Sequence, residues 1–82
     1  DFFYTDEMRE FEILPNANNI VGKTLRTLGL PAGALVLLIR RGEKYVVPHG
    51  DTKLESNDSL MILGKPEVLK ETGRFLGVPA ES

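Results

Sequence analysis

Cysteine and tryptophan are absent from the 82 residues, and histidine occurs once. Without cysteine there is no disulfide, no thiolate metal site and no cysteine nucleophile. Neither charge is in surplus: 10 Lys and Arg stand against 12 Asp and Glu, a formal net charge of −2. That balance excludes a generally basic nucleic-acid binder, although it leaves room for a local basic patch. No apolar run approaches the roughly 20 residues needed to span a bilayer, and no signal-peptide pattern opens the chain. The first residues are Asp1-Phe2-Phe3-Tyr4 rather than methionine, so the expectation is a piece of a longer or processed protein.

What is there is an ordinary globule in composition, 41% apolar and 27% charged. A chain this short makes one domain and buries only about two-thirds of the surface its unfolded form exposes. It leaves no room for a second domain and little for an enclosed catalytic cleft. Its small core holds itself together or borrows apolar surface from a partner.

The pattern along the chain predicts six elements. Around Met8–Leu14, Phe11 and Ile13 alternate with charged residues, the period of a half-buried strand. Pro15-Asn16-Ala17-Asn18-Asn19 breaks it, and Val21, Leu25 and Leu28 form the stripe of a short helix that Gly29 and Pro31 end. The continuous apolar run Ala34–Ile39 predicts a strand buried on both faces. Arg41-Gly42-Glu43 turns a hairpin into Tyr45-Val46-Val47, which Pro48 stops. A brief extended piece at Lys53-Leu54-Glu55 and a turn at Ser56-Asn57-Asp58 lead to a last strand, Ser59–Leu63. Pro66 and Glu67 open a final helix whose stripe is Val68, Leu69, Thr72, Phe75 and Leu76; Gly77 and Pro79 close it. Gly73 inside that helix costs about 1 kcal/mol relative to alanine, which suits close packing there. The order β-α-β-β-β-α predicts an α+β sandwich of a mostly antiparallel sheet with two helices.

Chemistry-bearing motifs are scarce. Gly22-Lys23-Thr24 sits between a strand and a helix, but a phosphate-cradling P-loop needs glycine five positions earlier, where Ala17 stands. His49 near Asp51 and Asp58 lacks the repeated ligand spacing of a metal site. Asn57-Asp58-Ser59 matches a glycosylation sequon and reads more simply as a turn. No serine lies in a glycine elbow and no paired carboxylates stand out, so an enzyme is not expected. Arg40 and Arg41 end the most apolar strand and point to opposite faces. They are either solvated edge residues or forks for an anion or phosphate at a subunit interface. Phe2, Phe3 and Tyr4, with the two-sided strand, give an apolar surplus whose natural outlet is a second copy.

The ordered series Val21-Gly22-Lys23-Thr24-Leu25, Leu30-Pro31-Ala32-Gly33-Ala34-Leu35-Val36, Ile39-Arg40-Arg41-Gly42, Val47-Pro48-His49-Gly50-Asp51-Thr52-Lys53-Leu54 and Asn57-Asp58-Ser59-Leu60-Met61-Ile62-Leu63-Gly64 resembles the TrkA-C domain. That domain, also called RCK_C, is the C-terminal lobe of regulators of K⁺ conductance. The resemblance implies a regulatory domain over residues 8–77, with 1–7 as an N-terminal extension and 78–82 as a tail. It implies a homodimer with no required cofactor, regulated in some relatives by a small ligand such as cyclic di-AMP held between the copies. It further implies a cytoplasmic domain of an integral membrane protein, a bacterial K⁺ or Na⁺/proton antiporter or K⁺ transport system, working on the membrane portion of the same chain. Nucleic acid and direct membrane insertion are not expected. Arg40, Arg41, His49, Asn19 and Lys23 are ligand-contact candidates on their chemistry. The alternative is a ligand-free assembly module.

Overall fold

The computed structural model describes residues 6–78. Its elements run β1 (Glu7–Glu12), α1 (Leu25–Leu28), β2 (Leu35–Arg41), β3 (Lys44–Val46), β4 (Ser59–Gly64) and α2 (Pro66–Leu76). The four strands form one antiparallel sheet in the order β1-β4-β2-β3. This is the α+β fold expected from the pattern, with the same element order. Residues 1–5, which include Phe2, Phe3 and Tyr4, lie outside the described part, as does the end from Pro79.

The last strand in sequence is central in space, and its composition explains why. Ser59–Gly64 is apolar on both faces and almost wholly buried, so it belongs between neighbours rather than at an edge. Facing pairs Phe11–Leu60, Ile39–Leu60 and Val36–Ile62 set one face of the sheet. Leu69 and Leu76 of α2, Leu28 of α1, and Ile13, Ile20 and Leu54 from the connections complete a single core with that face. Each fully buried side chain of this size contributes about 1.5–3 kcal/mol relative to exposure.

Helix α2 starts with Pro66 in its first turn and ends at Gly77, in the left-handed conformation at φ 76°. The N–H groups of Gly77 and Val78 donate to the carbonyls of Arg74 and Gly73, closing the end of the helix. Gly73 is required by proximity: a Cβ there would lie 2.8 Å from the Val78 carbonyl oxygen and 3.5 Å from the Phe11 ring. Helix α1 is shorter than the Val21–Leu28 stripe suggested. Its N-cap is Thr24, whose hydroxyl accepts from the Thr27 N–H, while Val21 and Gly22 remain in the preceding turn.

The expectation that Ala34–Ile39 is sealed on both faces is corrected. Leu35 and Leu37 are 56% and 41% exposed. Leu28 and α2 join the core on the face of Phe11, Ile39 and Ile62, and a bulge between Val36 and Leu38 sets Leu37 outside the ladder. The opposite face therefore stays open. Tyr45 and Val47, at 67% and 64%, add to the exposed apolar surface.

Candidate functional site

Between α1 and the segment after β3 lies an open hollow of about 400 Å³. Local sequence builds it. Thr24 caps α1, which leaves the N–H groups of Leu25 and Arg26 free to donate to the carbonyls of Thr52 and Gly50, at 3.0 and 2.9 Å. The segment 48–52 is thereby fastened to the first turn of the helix. Thr52 stiffens it from within: its hydroxyl accepts from the His49 N–H at 2.9 Å, and its own N–H donates to the His49 carbonyl at 3.0 Å. Gly29 ends α1 in the left-handed conformation, φ 78°, and the chain turns back through Leu30 toward β2.

The walls are apolar, from Leu25, Leu30, Ala34, Val36 and Pro48, and two polar side chains join them, Arg26 and His49. Arg26 is well exposed and bonds Asp51. Its guanidinium rests against Gly50, where a Cβ would come within 2.6 Å of Nη2. A concave apolar wall with one guanidinium and one imidazole suits a planar, anionic small molecule. A larger groove of about 850 Å³ lies along α2, beside Arg9, Lys70, Arg74 and Gly73. The smaller hollow is framed by two segments hydrogen-bonded to each other, Leu25–Arg26 and Gly50–Thr52, and is the better-defined site.

The five residues singled out from the sequence fall in separate places, and of them only His49 lines the hollow. Arg41 is engaged on the core side of the sheet: its Nε and Nη2 donate to the two carboxylate oxygens of Asp58, each at 2.8 Å, and Nη2 also reaches the Lys53 carbonyl at 3.0 Å. Asp58 is fully buried and accepts the Glu55 N–H as well; Glu55 completes the set with an ion pair to Arg41 at 3.1 Å. The Asp58 carboxylate beside it holds the Arg41 guanidinium above its ordinary pKa. Asn57 makes the turn before Asp58 at φ 69°, the left-handed conformation that asparagine tolerates.

Arg40 points to the other face, as strand alternation requires, and bonds Glu10 at 2.9 Å. Ser59 donates to the same Glu10 oxygen. These bonds, Ser59 first and Arg40 second, hold the Glu10 carboxyl below its ordinary range. Asn19 and Lys23 are exposed in the turns before α1. The backbone of Lys23 accepts from the Leu54 N–H at 2.9 Å, so its contribution visible here is to join that turn to residues 53–54. Arg26 was missed from the sequence. It lies in the helix Leu25-Arg26-Thr27-Leu28 as an ordinary polar-face residue, and the groups its guanidinium meets, Gly50 and Asp51, are more than 20 positions away. Among the described residues no group of acidic, histidine or cysteine side chains is arranged to hold a metal.

The family model for the TrkA-C domain matches residues 8–77. The chain belongs to the TrkA-C domain family. It is 32% identical over 71 residues to the Trk system potassium uptake protein TrkA homolog 2 of Methanosarcina mazei, covering 87% of this chain and 16% of that protein. The TrkA-C domain thus spans about a sixth of the length of that relative. Among solved structures it resembles an RCK domain "with cda", at 26% identity and a TM-score of 0.75, covering 83% of this chain and 94% of the other. The RCK_C domain dimer of Streptococcus agalactiae BusR, in complex with c-di-AMP, shares the fold at 20% identity and a TM-score of 0.73, covering 83% and 92%. The family is regulatory and linked to K⁺ transport systems. No helix among the described residues is long and apolar enough to cross a membrane.

Proposed function

We propose that this TrkA-C domain is the cytoplasmic, ligand-sensing and dimerising part of a bacterial monovalent cation (K⁺ or Na⁺)/proton antiporter or K⁺ transport system. The ligand class is a cyclic dinucleotide such as cyclic di-AMP, taken in the hollow beside α1. The observation that carries this reading is the pairing of apolar walls from Leu25, Leu30 and Pro48 with the polar groups of Arg26 and His49. A guanidinium fork suits a phosphodiester, and the apolar wall with an imidazole suits a purine face. The resemblance to the BusR RCK_C dimer in complex with c-di-AMP supports the choice of ligand and of a two-copy assembly.

The mechanism is a shift in population. A ligand that binds the paired domains better than the single ones stabilises the pair by that difference in affinity. A chain entering through residues 1–7 would carry the change to the transporter. Of the sequence candidates, His49 keeps a ligand role in this proposal and Arg26 joins it. Arg40 and Arg41 serve the fold through Glu10 and Asp58, and Asn19 and Lys23 shape the turn before α1. No cofactor is required and no nucleic acid takes part.

Calorimetric titration with cyclic di-AMP tests the reading. Binding is expected in the wild type and weaker by about 1.5–3 kcal/mol in Arg26→Gln, the scale of a charge-assisted hydrogen bond, with Arg40→Ala unchanged. A domain that takes up no cyclic dinucleotide and stays monomeric at high concentration overturns the ligand-gated dimer. The exposed Leu35, Tyr45 and Val47 favour the second reading, a ligand-free assembly module. A thermal-shift screen of nucleotides and cations separates the two, since only the first predicts a moved melting point.

A further inference from the structure

The guanidinium that the proposed site offers to a ligand already carries an anion. Arg26 Nη1 donates to Asp51 Oδ1 at 2.5 Å. The bond does not shape the segment that bears Asp51. That segment is fixed by Thr52, through its hydroxyl and N–H to the backbone of His49, and by the Leu25 and Arg26 N–H groups donating to Thr52 and Gly50. Among the described residues, the hydrogen-bond partner of the Asp51 carboxylate is Arg26. Both side chains stand largely in solvent, 66% exposed for Arg26 and 85% for Asp51. An ion pair so placed contributes little to folding. Its effect falls on the hollow instead: it cancels the one fixed positive charge there and fills a donor that a phosphate would use.

We infer that Asp51 is an internal competitor for the ligand's phosphate, a carboxylate that occupies Arg26 in the empty domain and is displaced when the ligand enters. Gly50 is the seat that makes this possible, because the space a Cβ would fill there holds the Arg26 guanidinium. The inference rests on the reading of the hollow as an anion site. Its consequence is a threshold. A simple anion exchanges one charge partner of Arg26 for another and gains little, whereas a cyclic dinucleotide adds contact with Leu25, Leu30 and Pro48. Selectivity for a ligand that is both anionic and aromatic follows from having the competitor in place.

The test compares the whole domain as wild type, Asp51→Asn, Asp51→Ser and the double variant Asp51→Asn/Arg26→Gln. Cyclic di-AMP is titrated by calorimetry, and inorganic pyrophosphate is followed at the Arg26 Nε–H resonance. Asp51→Asn and Asp51→Ser are expected to bind cyclic di-AMP about threefold to fivefold more tightly than wild type, the range of an exposed ion pair. The gain shrinks in high salt and disappears in the double variant. Pyrophosphate is expected to shift Arg26 in the Asp51 variants more than in wild type. Equal or weaker binding of cyclic di-AMP in both Asp51 variants overturns the competitor and leaves the ligand site standing. Pyrophosphate shifts enhanced by the Asp51 variants without any uptake of cyclic di-AMP support the competitor and overturn the ligand class. An Arg26 resonance that pyrophosphate moves in none of the Arg26-bearing proteins, together with no calorimetric uptake of cyclic di-AMP, overturns both.

Discussion

Two arginine–aspartate pairs in this small domain look alike in sequence and differ in every physical respect. Arg41 gives two parallel bonds to Asp58, which is fully buried and also accepts a backbone N–H. Arg26 gives one bond to Asp51, and both side chains stand in solvent. The first pair ties the end of β2 to residues 53–58, so its charges have no freedom left. The second leaves a guanidinium over a hollow, held by a single bond that solvent and salt weaken. Buried and multiply bonded charge is committed to the fold, while exposed and singly bonded charge remains available to a ligand.

The sharpest way to break that comparison is to remove each aspartate in turn. Asp58→Ala is expected to cost about 3–5 kcal/mol, because it removes both Arg41 bonds to the carboxylate and the acceptor of the Glu55 N–H, three bonds to one buried charged group. Asp51→Ala is expected to change stability by less than about 0.5 kcal/mol. Urea unfolding of the two variants reads both numbers, and equal losses would erase the distinction. Next in size is the contrast between the two faces of β2. Ile39→Ala in the core should cost about 2–5 kcal/mol, and Leu35→Ala on the open face less than about 1 kcal/mol in a monomer. A large loss for Leu35→Ala that depends on protein concentration would place that face in a dimer seam.

A smaller effect belongs to Gly73. Alanine there gains helix propensity but drives a Cβ against the Val78 carbonyl, so a net loss of about 1–3 kcal/mol is expected. A stabilised Gly73→Ala would mean that the end of α2 moves away at little cost. The smallest effect is in pH. Glu10 is held below its ordinary pKa in the folded domain, chiefly by Ser59 and then by Arg40. Its contribution is therefore fully present above the unfolded carboxyl pKa of about 4.3 and is lost as pH falls through the lower, folded value. Acid titration of stability should show a shallower loss below pH 4 in Ser59→Ala, and an identical profile would remove Glu10 from the account.

Much of the architecture was legible because its signals are local. Alternation at Phe11 and Ile13, the glycine at 42 and the proline at 66 each act within a few residues, so the element order and the turns followed from them. The apolar run in β2 misled because an unbroken series of aliphatic residues reads the same whether both faces are sealed or one is open with a bulge at Leu37. The site was less legible for a different reason. Arg26 meets Asp51 across 25 positions, and nothing near it in the chain distinguishes it from an ordinary helix-surface arginine. Arg40 and Arg41 drew attention by standing together at a strand end, yet their partners Glu10 and Asp58 lie 30 and 17 positions away. Polar chemistry assembled by long-range contacts leaves little trace in the local pattern.

The central claim, that the hollow beside α1 receives the ligand, is tested most directly by mapping cyclic di-AMP onto the domain by amide chemical shifts. The account predicts that the shifts cluster at Leu25, Arg26, Ala34, Val36, His49 and Gly50. Shifts gathered instead along Arg9, Lys70 and Arg74 of the α2 groove would contradict it.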